Sequence, residues 1–185
     1  DITIFSFHPV KIVTTAEGGM ALTNDAKLAQ KMDLLRSHGV TRNQDLMSKE
    51  PEGPWYYQQV DLGFNYRMTE LQAALGVSQM HRLEQFVAKR HDIAKVYNEI
   101  LQDLPVVLPY QLPETYSGLH LYVIRLKLDE ISKTRKEVFE LLREKGIGVN
   151  VHYIPVHTQP YYENLGFKQG DFPEAESYYA SAISL

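Results

Sequence analysis

The sequence predicts a mixed α/β protein. Short segments with alternating apolar residues, at residues 3–8 and 119–128, are typical of strands, and longer segments with apolar residues three or four apart are typical of helices. Glycines and prolines separate these segments. The 185 residues suffice for one domain of good size or for two small ones.

The start of the chain predicts two strands, with Lys11 in the connection between them, followed by a helix. Residues 3–8 form the first predicted strand, and a second one, at residues 18–24, follows a flexible Gly-Gly turn. We expect a helix over about residues 25–38, with Asn24 or Asp25 as N-cap and Gly39 as the first residue past its C-cap.

Residues 40–66 show no sustained period and predict a long loop, which in a compact protein is more often functional than idle. Its aromatic run Trp55–Tyr57 is expected to be a core or interface anchor, with substrate lining as the alternative. Thr69 and Gln72 then form a capping-box pattern. They open a periodic segment that predicts one long helix or a kinked pair of helices over about residues 69–101.

The second half predicts alternating strands and helices. The strand at residues 119–128 is followed by a helix with a second capping box, Thr134 and Glu137. A strand pattern resumes over residues 147–156, and Pro at the first helical position predicts a final helix over about residues 173–184.

Composition excludes several classes of function. A net charge of −4, without a dense cluster of Lys and Arg, disfavours nucleic acid and anionic membranes as partners. No stretch approaches the roughly 20 apolar residues of a membrane span. The absence of cysteine excludes disulfides, a thiolate nucleophile and a cysteine-based metal site, and it makes the reducing cytosol the expected compartment. A nicotinamide oxidoreductase is disfavoured because no G-x-G-x-x-G motif follows a predicted strand.

Both ends of the chain predict a piece of a longer protein. Position 1 is Asp, and a strand pattern is already under way there. The chain stops at residues 182–185 in what resembles the apolar face of a helix. We therefore expect further residues beyond the 185, including part of any site.

Lys11 is the candidate reactive residue. It interrupts an otherwise strand-like segment, Ser6–Gly19 (SFHPVKIVTTAEGG), in which Val10 and Ile12 flank it with apolar side chains. Most lysines are simply exposed, and this alternative stays open. Apolar surroundings nevertheless favour the free amine that imine-forming chemistry requires.

Three long motifs carry a resemblance to a known family. They are SFHPVKIVTTAEGG, DLGFNYRMTELQAALG at residues 61–76, and GIGVNVHYIPVHTQPYYENLGF at residues 146–167. In this order they resemble the sugar-nucleotide aminotransferases, which are fold-type-I enzymes dependent on pyridoxal 5'-phosphate. Within the family, HPVK, EGPWYY and VNVHYIPVHTQPYY look most like the transaminases of pseudaminic acid biosynthesis. Those enzymes convert a UDP-linked N-acetylated 4-keto-6-deoxy hexose to its 4-amino sugar with L-glutamate as amino donor.

The resemblance implies roles for seven residues. Lys11 matches the lysine that holds the cofactor covalently and then moves a proton during amino transfer. Ser6 matches a serine that contacts the cofactor phosphate. Asn65 matches an asparagine that reaches the phosphate in the partner subunit's site, and Arg67 an arginine that lines that site, so a homodimer with shared active sites is expected. Tyr153 and His157 lie in the segment that the family uses near the sugar nucleotide, and His8, which is close to Lys11, is assigned to the substrate with them.

Simpler roles remain open for these residues. Ser6 is also compatible with a strand serine bonded to backbone, Asn65 with a turn residue, and Arg67 with a surface charge at a helix start. His152, Tyr153 and His157 are expected to pack as side chains rather than to bind a metal, because no carboxylate lies at ligand spacing.

The resemblance also implies the domain organisation. Residues 1–100 would be the C-terminal part of the large cofactor-binding domain with a long linking helix, and residues 101–185 a truncated small α+β domain. The family's phosphate cradle, ring-stacking residue and acid opposite the pyridine nitrogen match nothing in these 185 residues. Alone, the piece is therefore expected to bind cofactor poorly and to lack turnover. The alternatives are a non-catalytic dimerising fragment and a sugar dehydratase of the same fold, disfavoured because that branch has histidine in place of the lysine.

Overall fold

The computed structural model describes residues 1–185. It divides into two compact units, Asp1–Glu84 and Gln85–Leu185. Helices and short antiparallel sheets occur in both units, so the mixed α/β content predicted from the sequence is confirmed.

The first unit contains two antiparallel strand pairs and two helices. Their bounds are β1 Thr3–Ser6, β2 Gly19–Leu22, α1 Ala26–Arg36, β3 Val40–Thr41, a 3₁₀ helix Gln44–Leu46, β4 Gln58–Gln59 and α2 Glu70–Met80. β1 pairs with β2, and β3 pairs with β4. Both predicted strands are present, and their antiparallel pairing makes them a hairpin. The predicted long loop contains only short elements.

Helix α1 begins at the predicted cap and ends slightly differently from the prediction. The carboxylate of Asp25 accepts two backbone N–H groups of the first turn. The first residue past the C-cap is His38, with φ 63°, and Gly39, with φ 70°, follows it. The Gly39 N–H donates to the Leu34 carbonyl at 2.9 Å. Gly39 is therefore the second residue past the C-cap and not the first, so its predicted position is wrong by one residue. In this kind of cap the N–H of the second residue donates to a carbonyl in the last turn of the helix.

The periodic segment over residues 69–101 forms two helices rather than one. Helix α2 ends at Met80, and the next helix, α3, runs from Leu83 to Leu101. The capping box of α2 is present: the Thr69 hydroxyl accepts the Gln72 N–H, and the Gln72 side chain accepts the Thr69 N–H. The local sequence thus sets where the pair begins.

The second unit packs helices on a three-stranded antiparallel sheet. Besides most of α3, its elements are β5 Val106–Val107, β6 Val123–Leu126, α4 Arg135–Glu144, a 3₁₀ helix Val156–Thr158, α5 Pro160–Glu163, α6 Pro173–Ser181 and β7 Ala182–Ser184. The sheet order is β5-β6-β7. Its core is a cluster of five buried side chains: Tyr122, Ile124, Leu126, Val149 and Ile183.

Two predictions for the second half are wrong. Residues 182–184 form strand β7 rather than the end of a helix, since they pair with β6 and Ile183 lies opposite Ile124. Residues 147–156 form no strand, and only Asn150 pairs, in a single bridge with Ser184. Of their apolar side chains, Val149 is buried in the core, whereas Ile147 and Ile154 are exposed.

No helix has both the length and the apolar character needed to cross a membrane.

Candidate active site

Lys11 lies in the connection between β1 and β2. Its backbone N–H donates to the His8 carbonyl at 2.9 Å, which closes a tight turn over residues 8–11. The Lys11 side chain is half-buried, and its amine forms no hydrogen bond or ion pair in the structure. The turn therefore presents a primary amine that no other protein group engages.

His8 begins this turn, and Ser6 is the last residue of the strand before it. The His8 N–H donates to the Ser6 hydroxyl at 3.5 Å, a long hydrogen bond. His8 Nε2 lies 3.8 Å from a carboxylate oxygen of Glu17, and both side chains are at least half exposed. Ser6, His8 and Lys11 thus lie within six successive positions, but no hydrogen bond joins the Lys11 amine to the other two side chains, and their joint role stays a prediction.

The segment that carries Asn65 and Arg67 lies against the end of α1. Asn65 pairs with Ser37 in an isolated antiparallel bridge, and the N–H of Tyr66 donates to the Arg36 carbonyl at 2.9 Å. The side chains of Asn65 and Arg67 are exposed. Within the chain neither side chain forms a hydrogen bond with Lys11 or Ser6, so any joint role of these residues stays a prediction.

Tyr153 and His157 lie in the second unit and have very different surroundings. Tyr153 is 69% exposed, whereas His157 is 7% exposed. His157 Nε2 lies 2.7 Å from a carboxylate oxygen of Glu176, and its ring packs against Phe172. Tyr153 can reach a ligand at the surface, while one ring nitrogen of His157 is already engaged. The substrate-contact role of both residues stays a prediction.

Glu176 was not singled out by the sequence. Its pKa is held below its ordinary value, mainly by the hydrogen bond from His157 and then by the backbone N–H of Gly170. The two side chains are 19 positions apart, and no local pattern joins them. The signal that points to the pair is the burial of a histidine, which requires a polar partner.

The aromatic run in the loop is only partly explained. Trp55 is 69% exposed and Tyr57 is 56% exposed, so the prediction that they pack in the core of this chain is wrong for both. The alternatives of an interface and of substrate lining stay predictions.

Comparison with known proteins identifies the family. The model of the DegT/DnrJ/EryC1/StrS aminotransferase family matches residues 1–185. The chain therefore belongs to this family, which confirms the resemblance carried by the three motifs. The family is dependent on pyridoxal phosphate.

The relatives include sugar-processing proteins from several bacteria. The chain is 37% identical over 188 residues to spore coat polysaccharide biosynthesis protein SpsC of Bacillus subtilis, covering 100% of this chain and 48% of the relative. It is 36% identical over 184 residues to the UDP-4-amino-4,6-dideoxy-N-acetyl-beta-L-altrosamine transaminase of Helicobacter pylori, covering 99% and 46%. The chain thus spans about half the length of the curated relatives it matches.

Solved structures agree in fold. The Helicobacter pylori aminotransferase PseC, involved in the biosynthesis of pseudoaminic acid, matches with a TM-score of 0.86 and 34% identity over 100% of this chain and 47% of that chain. The protein Spr1654 of Streptococcus pneumoniae matches in its PLP form with a TM-score of 0.86 and 31% identity, over 100% of this chain and 46% of that chain. Its PMP form also matches. These matches confirm the predicted fold class.

Proposed function

We propose that the intact protein containing this chain transfers the amino group of L-glutamate to a UDP-linked 4-keto-6-deoxy N-acetylhexosamine, with pyridoxal phosphate as cofactor. The observation that carries the proposal is the placement of Lys11 in a tight turn, with no partner for its side chain, in a chain that matches the aminotransferase family throughout. Relatives that bear the name of a UDP-sugar transaminase support the substrate class.

Three side chains of the first unit fit pyridoxal phosphate in their chemistry. An aldehyde requires a primary amine, which Lys11 supplies, and a phosphate requires donors, among which the Ser6 hydroxyl and the Asn65 amide qualify. The bound cofactor supplies an electron sink for the bond changes at the amino-bearing carbon. Lys11 Nζ is the primary amine of the hairpin that can both hold an aldehyde covalently and carry a proton.

The proposal extends to the assembly and the domains. Asn65 and Arg67 are assigned to the active site of a partner subunit in a homodimer, and His8, Tyr153 and His157 to the sugar nucleotide. Residues 1–100 are assigned to the end of the large domain with its linking helix, and residues 101–185 to the small domain. A cytosolic location, expected from the lack of cysteine, belongs to the same proposal.

Covalent labelling tests the role of Lys11. The intact protein is incubated with pyridoxal phosphate, reduced with borohydride, digested and examined by mass spectrometry. We expect a pyridoxyl label on the Lys11 peptide, lost in Lys11→Ala and retained in Lys27→Ala, a control in an exposed part of α1. A wild-type protein without the label would overturn the proposal and favour the non-catalytic alternative.

A substrate panel tests the sugar. The intact enzyme is incubated with L-glutamate and UDP- or TDP-linked 4-keto-6-deoxy sugars, and 2-oxoglutarate is measured. We expect the highest rate with a UDP-linked N-acetylated sugar. A preference for a TDP sugar would overturn the substrate class and leave the reaction type intact.

A further inference from the structure

The turn that carries Lys11 is closed at its base by Phe7. The Thr15 N–H and the Thr14 hydroxyl both donate to the Phe7 carbonyl, at 3.0 and 3.1 Å, and the Phe7 N–H donates to the Gly18 carbonyl at 2.8 Å. Both arms of the loop over residues 8–13 therefore meet at one residue. Because Thr15 is bonded to Phe7, a shift of Thr15 also moves the two ends of the loop that carries Lys11.

Thr15 is itself held through the carbonyl of Glu17. This carbonyl accepts the Thr15 hydroxyl at 2.8 Å and the side-chain N–H of Gln72 at 3.0 Å. Gln72 lies in the first turn of α2, and Thr15 is 2% exposed. A buried hydroxyl and a helix side chain thus share one acceptor, which links the Lys11 loop to α2.

The backbone of α2 approaches the same threonine one turn further along. A Cβ at Gly76 would lie 2.8 Å from Cγ2 of Thr15, and Gly76 is buried. Helix α2 and the hairpin therefore touch at two successive turns, at Gln72 by a hydrogen bond and at Gly76 by close packing.

Gln72 has one more contact than a helix cap requires. Its carbonyl oxygen accepts from the N–H and the hydroxyl of Thr69, both at 3.0 Å. Glutamate makes the same two contacts in the other capping box of this chain, Thr134 and Glu137. A glutamate at position 72 would keep the cap, but a carboxylate has no hydrogen to donate to the Glu17 carbonyl.

We propose that Gln72 is a positioning residue for Lys11 in amino transfer, acting through the Glu17 carbonyl and Thr15. This inference rests on the proposed function, since it assigns Gln72 a purpose in placing the reactive amine. The Gln72 amide touches neither the amine nor the reacting atoms. It keeps the base of the turn fixed, and misplacement of a reacting group by about 1 Å can cost up to about a hundredfold in rate.

The test compares two isosteric changes that leave each cap intact. Gln72→Glu removes the N–H that reaches Glu17, and Glu137→Gln is the matched control in α4. In the cofactor-free intact protein, we expect hydrogen exchange at Phe7 and Thr15 to rise about tenfold in Gln72→Glu, with no change within α2 or in the control. With cofactor bound, we expect kcat to fall about tenfold while KM for the sugar changes less than twofold.

Thr15 provides a second pair of variants in case Gln72→Glu folds poorly. Thr15→Val keeps the shape and loses the hydroxyl that reaches Glu17, so we expect the same rise in exchange and the same fall in kcat. Thr15→Ser retains the hydroxyl and should stay close to wild type. Rescue by serine separates the hydrogen bond from packing.

The outcomes distinguish this inference from the proposed function. Wild-type exchange and kcat in both Gln72→Glu and Thr15→Val would overturn the positioning role, and so would an equal loss in Glu137→Gln. Failure to label Lys11 in the wild-type protein would overturn the proposed function and, with it, the purpose assigned to Gln72. The exchange data would then still decide whether Gln72 holds the loop.

Discussion

Nε2 of His157 donates to a carboxylate oxygen of Glu176 across 2.7 Å in the second unit. The same oxygen accepts the backbone N–H of Gly170 at 2.7 Å. One carboxylate therefore ties together the 3₁₀ helix that carries His157, the loop before α6 and the first turn of α6. Because these contacts favour the charged carboxylate, they lower the pKa of Glu176 from its ordinary 4.5.

The lowered pKa predicts a dependence of stability on pH. Below pH 4.5 the unfolded state binds the proton at Glu176 before the folded state does, so this contribution is present above pH 4.5 and is lost as the pH falls through the folded pKa. We expect the melting temperature of the intact protein to fall less steeply below pH 4.5 in Glu176→Gln than in wild type. Glu174→Gln, in the same turn of α6, should keep the wild-type slope. Equal slopes in all three proteins would contradict the role of the pair.

Truncation of Ile183, in the core of the second unit, is expected to lower the stability of the protein strongly. This side chain is fully buried in β7 and belongs to the core cluster. Truncating a buried isoleucine to alanine costs about 2–5 kcal/mol, from lost burial and the cavity that remains. We expect Ile183→Ala to lower the free energy of unfolding by that amount in urea titrations. Ile154→Ala, at a side chain that is 51% exposed, should cost much less. Equal losses would mean that β7 does not pack as described.

Ala16, near Lys11, has a left-handed backbone conformation, so we expect its replacement by glycine not to lower the stability of the protein. Ala16 has φ 65°, a conformation that costs a residue with a Cβ about 1–2 kcal/mol and costs glycine almost nothing. Since glycine also gains freedom in the unfolded chain, we expect Ala16→Gly to range from neutral to about 1 kcal/mol more stable. The control Ala21→Gly, in β2, should lose about 0.5–1 kcal/mol. Comparable losses in both variants, measured by urea unfolding, would contradict this assignment of strain.

Local chemistry explains what the sequence predicts well. The two capping boxes, at Thr69 and Thr134, depend on contacts three residues apart, and the structure contains both. His8 and Lys11 fall in one turn, and Ser6 ends the strand just before it, because the three lie within six successive positions. The family motifs then identify a class of enzyme that no local pattern specifies.

Contacts between distant segments explain what the sequence does not predict. Strand β7 has only three residues, too few for a readable alternation, and it is a strand because it pairs with β6. The hydrogen bond from Gln72 to Glu17 joins residues 55 positions apart. The sequence around Gln72 shows the capping pattern and gives no sign of this second contact. In β7 tertiary pairing overrides the local preference, whereas at Gln72 it adds a contact to the intact cap.

Because Gly76 lies close to Thr15, we expect substitutions at these two positions to have coupled effects on stability. An alanine there gains about 1 kcal/mol in helix propensity, but its Cβ would lie 2.8 Å from Thr15 Cγ2, and overpacking of a buried site costs about 1–3 kcal/mol. We therefore expect Gly76→Ala to lower the free energy of unfolding by up to about 2 kcal/mol. Gly148→Ala, where no atom lies within 4 Å of the added Cβ, is the control and should change little.

The double variant decides the cause of that loss. Serine at position 15 keeps the hydroxyl that reaches the Glu17 carbonyl and lacks Cγ2, so it removes the atom that the new Cβ would meet. We expect Thr15→Ser combined with Gly76→Ala to be more stable than the sum of the single changes implies, by at least about 0.5 kcal/mol. Strict additivity in this cycle would show that the position of Thr15 does not depend on a glycine at position 76. The hydrogen bond from Gln72 would then be the contact that joins α2 to the Lys11 turn.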